Sequence, residues 1–528
     1  MAVTAVRNPK VTLNMIERDQ TVGLDDHRNL LVGQMLTGTA TAGQKIELPR
    51  TAAEINAAFG ARSHIAMIGR AYRDVNPYTA VDVKPLADAG GATKGTAVLL
   101  TAGTATEAKT IFVDVVSSKN HSYEIDVEVG DTEADFSTKL LAKIALDTNV
   151  PVTAAKSTAT NTDDTHTFTA ANGGTICNSW LIRVRDAYGQ PASVAGLTFT
   201  ITGWTGGATD PTLTTILDDL ENIRYHGVLW PSAYSTSVVK SWINARFNLD
   251  NDIKDGVVFQ WVEDTFSNIK TAANAMNSPS FVMMTNETMN TSHWKGPHIP
   301  EAPDVLAVRF MAARALRFEE GISISEYVTT NEFNDQFGGI HTCTLPYFNT
   351  PIKNVGQPER GAGYTYPEQL ELEQAGVSVV GQNLPNNSVI SSVMVTTFLN
   401  DDAGNEDDTW HYLNWRDTHS VVREYYVNNL REEFAQHRLT SGRAVAGYAI
   451  ADEPTIRGFC LEMYDNLSDQ AITVQGEMSN GTRARKYYDD NLTVLITAEQ
   501  RKVTLNMITP FVSQLGEIAG SIKFTFDA

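Results

Sequence analysis

The sequence predicts an α+β multidomain protein with discontinuous domains: terminal β-strand arms, an α/β middle layer and a β-rich inserted domain. Three observations carry this. The segment Lys-Val-Thr-Leu-Asn-Met-Ile occurs at residues 10–16 and again at 502–508, almost the full length of the chain apart. A Thr-rich, strand-like block is set off by the Gly, Ala and Thr-rich stretch 87–95 and by the pair Gly206-Gly207. From Asp210 onward the pattern changes to alternating helices and strands, as in a layer built on a parallel sheet.

Each copy of the repeat has the period of a half-buried strand. Val11, Leu13 and Met15 face one way and Lys10, Thr12 and Asn14 the other, and Val503, Leu505 and Met507 repeat the pattern. A short terminal strand cannot stabilise itself, because ordering each backbone residue costs about 1–2 kcal/mol and a lone strand leaves its N–H and C=O groups unpaired. It needs a partner, either the chain's own C-terminal sheet or the same sheet in a neighbouring copy, where strand addition links chains. Coincidence between two β-prone segments is the plainer alternative, and an identity of seven residues weighs against it.

With 528 residues the chain is too long for one core and is expected to form about three or four domains. Its net charge of −21 and pI near 4.9 argue against broad binding to nucleic acid. The longest apolar runs are too short to cross a bilayer. The first residues, with Arg7, Lys10, Glu17, Arg18 and Asp19, do not read as a signal peptide, so synthesis in the cytoplasm is expected. Cys177, Cys343 and Cys460 are odd in number and widely spaced, which fits neither a disulfide scaffold nor a CxxC site. His341 and Cys343 form an isolated pair, and there is no HExxH, so neither metal nor cofactor is expected.

In chain order, residues 28–36 and 45–48 read as strands, followed by helices over 51–59 and 63–72. Inside the β-rich block, strands are expected at 96–101, 110–117, 122–128, 166–170, 179–185 and 197–202, with a helix starting near Asp131. The α/β layer follows with helices at 212–222, 235–247, 265–274 and 303–319 and strands at 227–230, 256–262 and 281–284. Its turns contain no GxGxxG, GxxxxGK[ST] or GxSxG, so no phosphate cradle or nucleophile elbow is present. An enzyme built on this layer would have to use His226, Glu263 or Asp264.

The last third reads as strands at 372–380 and 388–399, an acidic turn at 401–408, and a long helix over 409–439. The order of the acids does not fit an EF-hand loop, whereas Asp408 stands where an N-cap belongs. A helix over 452–465 and strands at 471–475, 492–497, 502–508 and 521–526 close the chain. In the last of these Ile522, Phe524 and Phe526 alternate with polar residues. On the long helix Arg416, Arg423, Arg431 and Arg438 are spaced by seven, eight and seven residues, which returns them to nearly one angle and makes a basic stripe. Such a stripe can dock an acidic surface; a solvated face, or pairing with Glu424, Glu432 and Glu433, is the plainer reading.

Several motifs in this order resemble the contractile tail sheath proteins of bacteriophages, of the Mu-like and related myophage type. They include Ala58-Phe59-Gly60 with Ser63, the segments Pro151-Val152-Thr153-Ala154 and Gly206-Gly207-Ala208-Thr209-Asp210-Pro211, then Pro231 with Tyr234, and Gly404 with Asp407 before a long helix. The closing Pro510-Phe511-Val512-Ser513-Gln514-Leu515 leads to Ile522-Lys523-Phe524. The resemblance implies a strand arm over 1–20, a middle α/β domain from 21–86 plus 206–340, an outward-facing insert over 87–205, a tube-facing core domain over 341–515 and a second strand arm over 516–528.

The resemblance also implies a structural subunit of the virion tail rather than an enzyme, assembled in the host cytoplasm. It would stack in hexameric rings around a tail tube protein, between baseplate and tail terminator proteins, with no nucleic acid partner and no membrane insertion. The inter-subunit sheet would use Val11, Leu13, Met15, Val503, Leu505, Met507, Ile522, Phe524 and Phe526. The arginine stripe would face the tube. A sheath of another contractile injection system, of tailocin or secretion type, is the nearest alternative, and an α/β enzyme with an unrecognised site is the remote one.

Overall fold

The computed structural model describes residues 27–115, 121–160, 163–188, 191–220, 222–247, 254–285, 301–330, 347, 350, 352, 364–383, 388–391, 394–445, 447–469, 473–497 and 502–510. The chain begins with β1 (Arg28–Gln34), β2 (Ile46–Glu47), α1 (Ala52–Phe59), α2 (His64–Val75) and β3 (Ala80–Leu86). The β-rich block comprises β4 (Thr96–Gly103), β5 (Lys109–Val115), β6 (Ser122–Val127), α3 (Glu133–Leu146), β7 (Val152–Thr160), β8 (Asp163–Ala170), β9 (Ile182–Arg185) and β10 (Leu197–Thr205). The layer resumes with β11 (Gly227–Leu229), α4 (Ser237–Arg246), β12 (Val257–Trp261), α5 (Phe266–Met276), β13 (Phe281–Thr285), α6 (Pro303–Thr330), α7 (Tyr366–Gln374), β14 (Val377–Asn383) and β15 (Ser388–Ser391). Last come α8 (Leu413–Phe434), β16 (Arg438–Leu439), β17 (Ile450–Ala451), α9 (Glu453–Asp469), α10 (Ala484–Asn491), β18 (Thr493–Thr497) and β19 (Lys502–Asn506).

The central sheet runs β15-β14-β13-β12-β11-β1-β3-β2, parallel from β14 to β3, with antiparallel β15 and β2 at its edges. Helices cover both faces of such a sheet, which is why β12 and β13 are buried at every residue. The cap chemistry is local. Thr51 and Glu54 form a capping box at α1, and Ser63 accepts the amide of Ala66 at α2. The β-rich block folds as a four-stranded sheet, β10-β4-β8-β7, and a three-stranded one, β6-β5-β9. Across them lies α3, burying Phe136, Leu140 and Ile144.

Several expectations are corrected. The described residues of the helix expected over 212–222 form turns with a short 3₁₀ segment, Asp218–Leu220; three threonines just after Pro211 stiffen this stretch against helical backbone. Residues 366–374 are helical because Thr365 and Glu368 form a capping box, so the strand expected over 372–380 begins at Val377. The long helix starts at Leu413, and Asp408 does not cap it; Asp407 instead accepts the amide of Thr409 at 2.9 Å. Residues 473–475 are not a strand, and β3, β7 and α10 had not been anticipated. The eight-stranded sheet draws β14 and β15 from beyond residue 340, so the middle layer does not end there.

In this sheet β1 is flanked by β3 on one side and β11 on the other, so the connections run outward from the crevice at the C-terminal ends of β1 and β11. Ligands of doubly wound enzymes bind at such a switch point. Here the root of the insert is bonded to the C-terminal end of β1 and to the chain that follows β3. The Gln34 amide donates to Asp88 Oδ1 and to the carbonyl of Gly173, both at 2.8 Å, and Asn172 donates to the carbonyl of Met35 at 3.1 Å. Asp88 also accepts the amide of Gly173 at 2.7 Å, and Asp210 accepts the amide and hydroxyl of Thr175 at 2.7 and 2.6 Å. Gly174 sits at φ +99°, where a Cβ would stand 2.7 Å from Asp210 Oδ1. Gly174→Ala is therefore expected to cost about 1–3 kcal/mol and to speed proteolytic cutting at the insert's root. Melting of the full chain and limited proteolysis test this, and an unchanged midpoint would show that the root does not fasten the insert.

Candidate assembly surfaces

The second copy of the repeated segment lies in β19, paired antiparallel with β18 so that Val494 faces Leu505 and Ile496 faces Val503. The expected alternation is present. Val494 is buried, and Ile496, Val503, Leu505 and Met507 pack on a small core formed by α8, α9 and α10. At its centre the Tyr488 ring stacks on Tyr464 at 4.6 Å. Among the described residues β18 and β19 pair only with each other, so each presents an outer edge of backbone donors and acceptors. An isolated two-stranded sheet is marginal in water, and this one also leaves Leu495 60 % exposed. Val11, Leu13, Met15, Ile522, Phe524 and Phe526 lie outside the described residues.

The arginine stripe is not a single surface. Arg416 is 1 % exposed, and its guanidinium donates to the carbonyls of Pro279 at 3.0 Å and Gly256 at 2.8 Å. Arg423 donates to Asp255 Oδ1 at 2.6 Å. One turn away, Arg314 of α6 grips Asp417 with two bonds of 3.0 and 2.7 Å, Tyr347 donates to the same carboxylate at 2.8 Å, and Arg224 meets Glu424 at 2.6 Å. These contacts clamp the first half of α8 to the central sheet. Burial alone would push the carboxyl of Asp255 up; Arg416, Arg224 and Arg423, together with Ser420, outweigh it and hold it down at about 2. Arg416 is therefore buried away from any surface, and Arg423 is partly buried and committed to Asp255. Arg431 and Arg438 are exposed, but α8 ends at Phe434, and Arg438 belongs to β16.

Beside this junction, His27 and His226 stack with ring centroids 4.5 Å apart, and His226 Nδ1 accepts the amide of Arg28 at 3.2 Å. Both imidazoles are held neutral, chiefly by burial and then by the cations of Arg314 and Arg224. His226 is thus a core residue without access to a substrate. Asp264 accepts the backbone amide of Thr265 and the side-chain amide of Asn268, and is spent on the start of α5.

One constellation escaped the sequence reading. Ser137 Oγ lies 2.7 Å from His166 Nε2 and 2.8 Å from Asp164 Oδ2. The carboxylate here contacts the serine rather than orienting the histidine, whose Nδ1 lies 2.9 Å from the Leu99 carbonyl. Ser137 and His166 are fully buried, so the group is a polar brace between α3 and β8 and not a nucleophilic triad. Its members are spread over 30 residues of two different elements, which no short motif reveals.

Cys177 and Cys460 are buried free thiols, and burial pushes Cys460 up to about 12; Cys343 lies outside the described residues. Among the described residues no group of three or more His, Cys, Asp or Glu is placed to hold a metal ion. Among the described residues no helix is long and apolar enough to cross a membrane.

No protein-family model matches the chain. It is similar to the Mu-like prophage FluMu tail sheath protein of Haemophilus influenzae, 23% identical over 504 residues that cover 92% of this chain and 94% of the relative. Among solved structures it aligns with the sheath tail protein of Desulfitobacterium hafniense, at 10% identity and TM-score 0.43 over 94% of this chain and 99% of that one. The sheath tail protein of Listeria innocua aligns at 12% identity and TM-score 0.44, over 92% and 93% of the two chains. The anti-feeding prophage helical sheath in its contracted state aligns at 12% and 0.44, over 98% and 99%.

The buried histidines fix the sign of the acid response. Their folded values lie below the unfolded value of about 6.5, so the unfolded chain takes up more protons, and stability falls as pH drops below that point by about 1.4 kcal/mol per pH unit for each group. Asp255 works lower down: its stabilisation is present above the unfolded value of about 3.9 and is lost as pH falls from there toward about 2. Melting curves between pH 7 and pH 5 are expected to shift downward, and less steeply in His226→Gln. An equal slope in that variant would remove the histidine pair from the account.

Proposed function

We infer that this chain is the subunit of a phage-type contractile tail sheath, which polymerises around a tail tube and contracts to drive the tube through the host envelope. The observation that carries this reading is the duplicated strand. One copy lies in a strand pair that, among the described residues, has two open edges, and the other lies at residues 10–16 with the same alternating apolar residues. An added strand whose Val11, Leu13 and Met15 continue the face of Val503, Leu505 and Met507 would extend the small core of a neighbour across the subunit boundary. The C-terminal segment, with Ile522, Phe524 and Phe526, supplies a strand for the other edge.

Strand arms joined to a rigid body account for contraction without an enzymatic step. The arms keep neighbours connected while bodies slide and rotate to a tighter lattice. The extended form is a trapped state whose release adds small gains over many subunits. The partners are other copies of the chain in stacked rings, the tail tube protein, and the baseplate and tail terminator proteins. The assembled product belongs to the virion tail and is built in the host cytoplasm.

Negative-stain microscopy of the purified chain is expected to show hollow tubes or rings. Deleting residues 1–20 is expected to leave a folded monomer, with the melting midpoint of the free subunit, that no longer forms them. Tubes of ordinary stability from the deleted chain would sink the strand-exchange reading.

A further inference from the structure

The segments that flank α8 differ in charge, while its own last turn carries Arg431 beside the acids Glu432 and Glu433. Before α8 stands the acidic turn, in which Asp402, Glu406 and Asp408 are exposed and have no ion pair among the described residues. The inner acids are committed: Asp401 accepts the amides of Ala403 and Asn405, and Asp407 accepts that of Thr409. After α8 comes the loop joining β16 to β17. From residue 434 to 451 the chain has no acid at all, in a protein with net charge −21, yet it includes Arg438 and Arg443, both exposed and without an ion pair among the described residues. The same loop exposes Val445 at 57 % and Tyr448 at 66 %.

These two surfaces cannot meet within one chain. The 22 residues of α8 span about 33 Å at about 1.5 Å per residue, and Arg416 and Asp417 clamp its first half to the sheet. They can meet between copies. A patch that binds a different, complementary patch on the next copy makes a heterologous contact, which generates rings or helical filaments rather than closed two-fold dimers. We propose that the basic loop of one subunit, through Arg438, Arg443 and Tyr448, docks on the acidic turn of a second copy of this chain. The occupant is chosen by charge: any second copy presents a strongly acidic surface, and in this turn the carboxylates are exposed at the opposite end of the same helix. An aromatic ring beside the two guanidinium groups adds apolar area to an otherwise ionic contact.

This proposal rests on the reading that the chain polymerises, and the experiment separates the two. Full-length wild type, the double variant Arg438→Glu with Arg443→Glu, and that variant further carrying Asp402→Lys and Asp408→Lys are compared by sedimentation and microscopy at equal protein concentration, with melting of the free subunits as a check on folding. The double variant is expected to fold but lose most of its pelletable tubes, and the fourfold charge swap to restore them. Wild-type assembly with an unaffected double variant would overturn the contact while leaving the sheath reading intact. So would failure of the charge swap to rescue, or a double variant that forms tubes alone but no longer coats the tail tube. Wild type that stays monomeric would overturn the sheath reading and this contact with it.

Discussion

The buried ionic junction between α8 and the central sheet is what the rest of the molecule depends on. Arg416 reaches two backbone carbonyls in the connections just before β12 and β13, Arg423 and Ser420 hold Asp255, and Arg314 grips Asp417 through two bonds. Paired charges of this kind are not inherently more stabilising than apolar packing. Removing one partner, however, strands the other and costs about 3–5 kcal/mol. The junction therefore fixes geometry more than it adds stability. It makes the small core of α8, α9, α10 and the β18–β19 hairpin an extension of the central layer, so a pull on that hairpin reaches the sheet through one continuous helix.

The same sheet also holds the insert. Asn172, Gly173 and Thr175 of the insert are bonded to Gln34 and Met35 at the end of β1, to Asp88 after β3, and to Asp210. The buried histidine stack beside Arg314 and Arg224 is similarly spent on packing. A doubly wound sheet is a scaffold before it is an active site, and here its mouth is used to hold another domain.

Much of this was legible in the sequence where the signal is local and periodic. The alternation in 502–508, the capping Thr51 and Ser63, and the helix–strand rhythm after Asp210 all point to the elements that form. The failures share a cause. Arginines at helical spacing read as a stripe, but whether they meet water or a buried carboxylate is decided by Asp255, more than 150 residues earlier in the chain. Likewise Leu372 and Val377 read as one strand because the apolar pattern is continuous; the capping box at Thr365 and the glycine at φ +81° in Gly376 divide it. Long-range charge pairing and turn geometry leave little trace in a pattern of apolar residues.

The insert leaves and rejoins the layer through two chain segments that touch: Thr93 and Ala208 exchange backbone hydrogen bonds of 3.0 and 3.3 Å. A neck of this kind separates what lies beyond it from what lies below. Because the two ends are already together, lengthening the excursion adds only a slow, logarithmic loop-closure cost. The module beyond the neck can therefore change in length and surface chemistry at little cost to the layer that holds it. It is, in effect, a socket: the module beyond the neck can be exchanged without rebuilding the sheet below it.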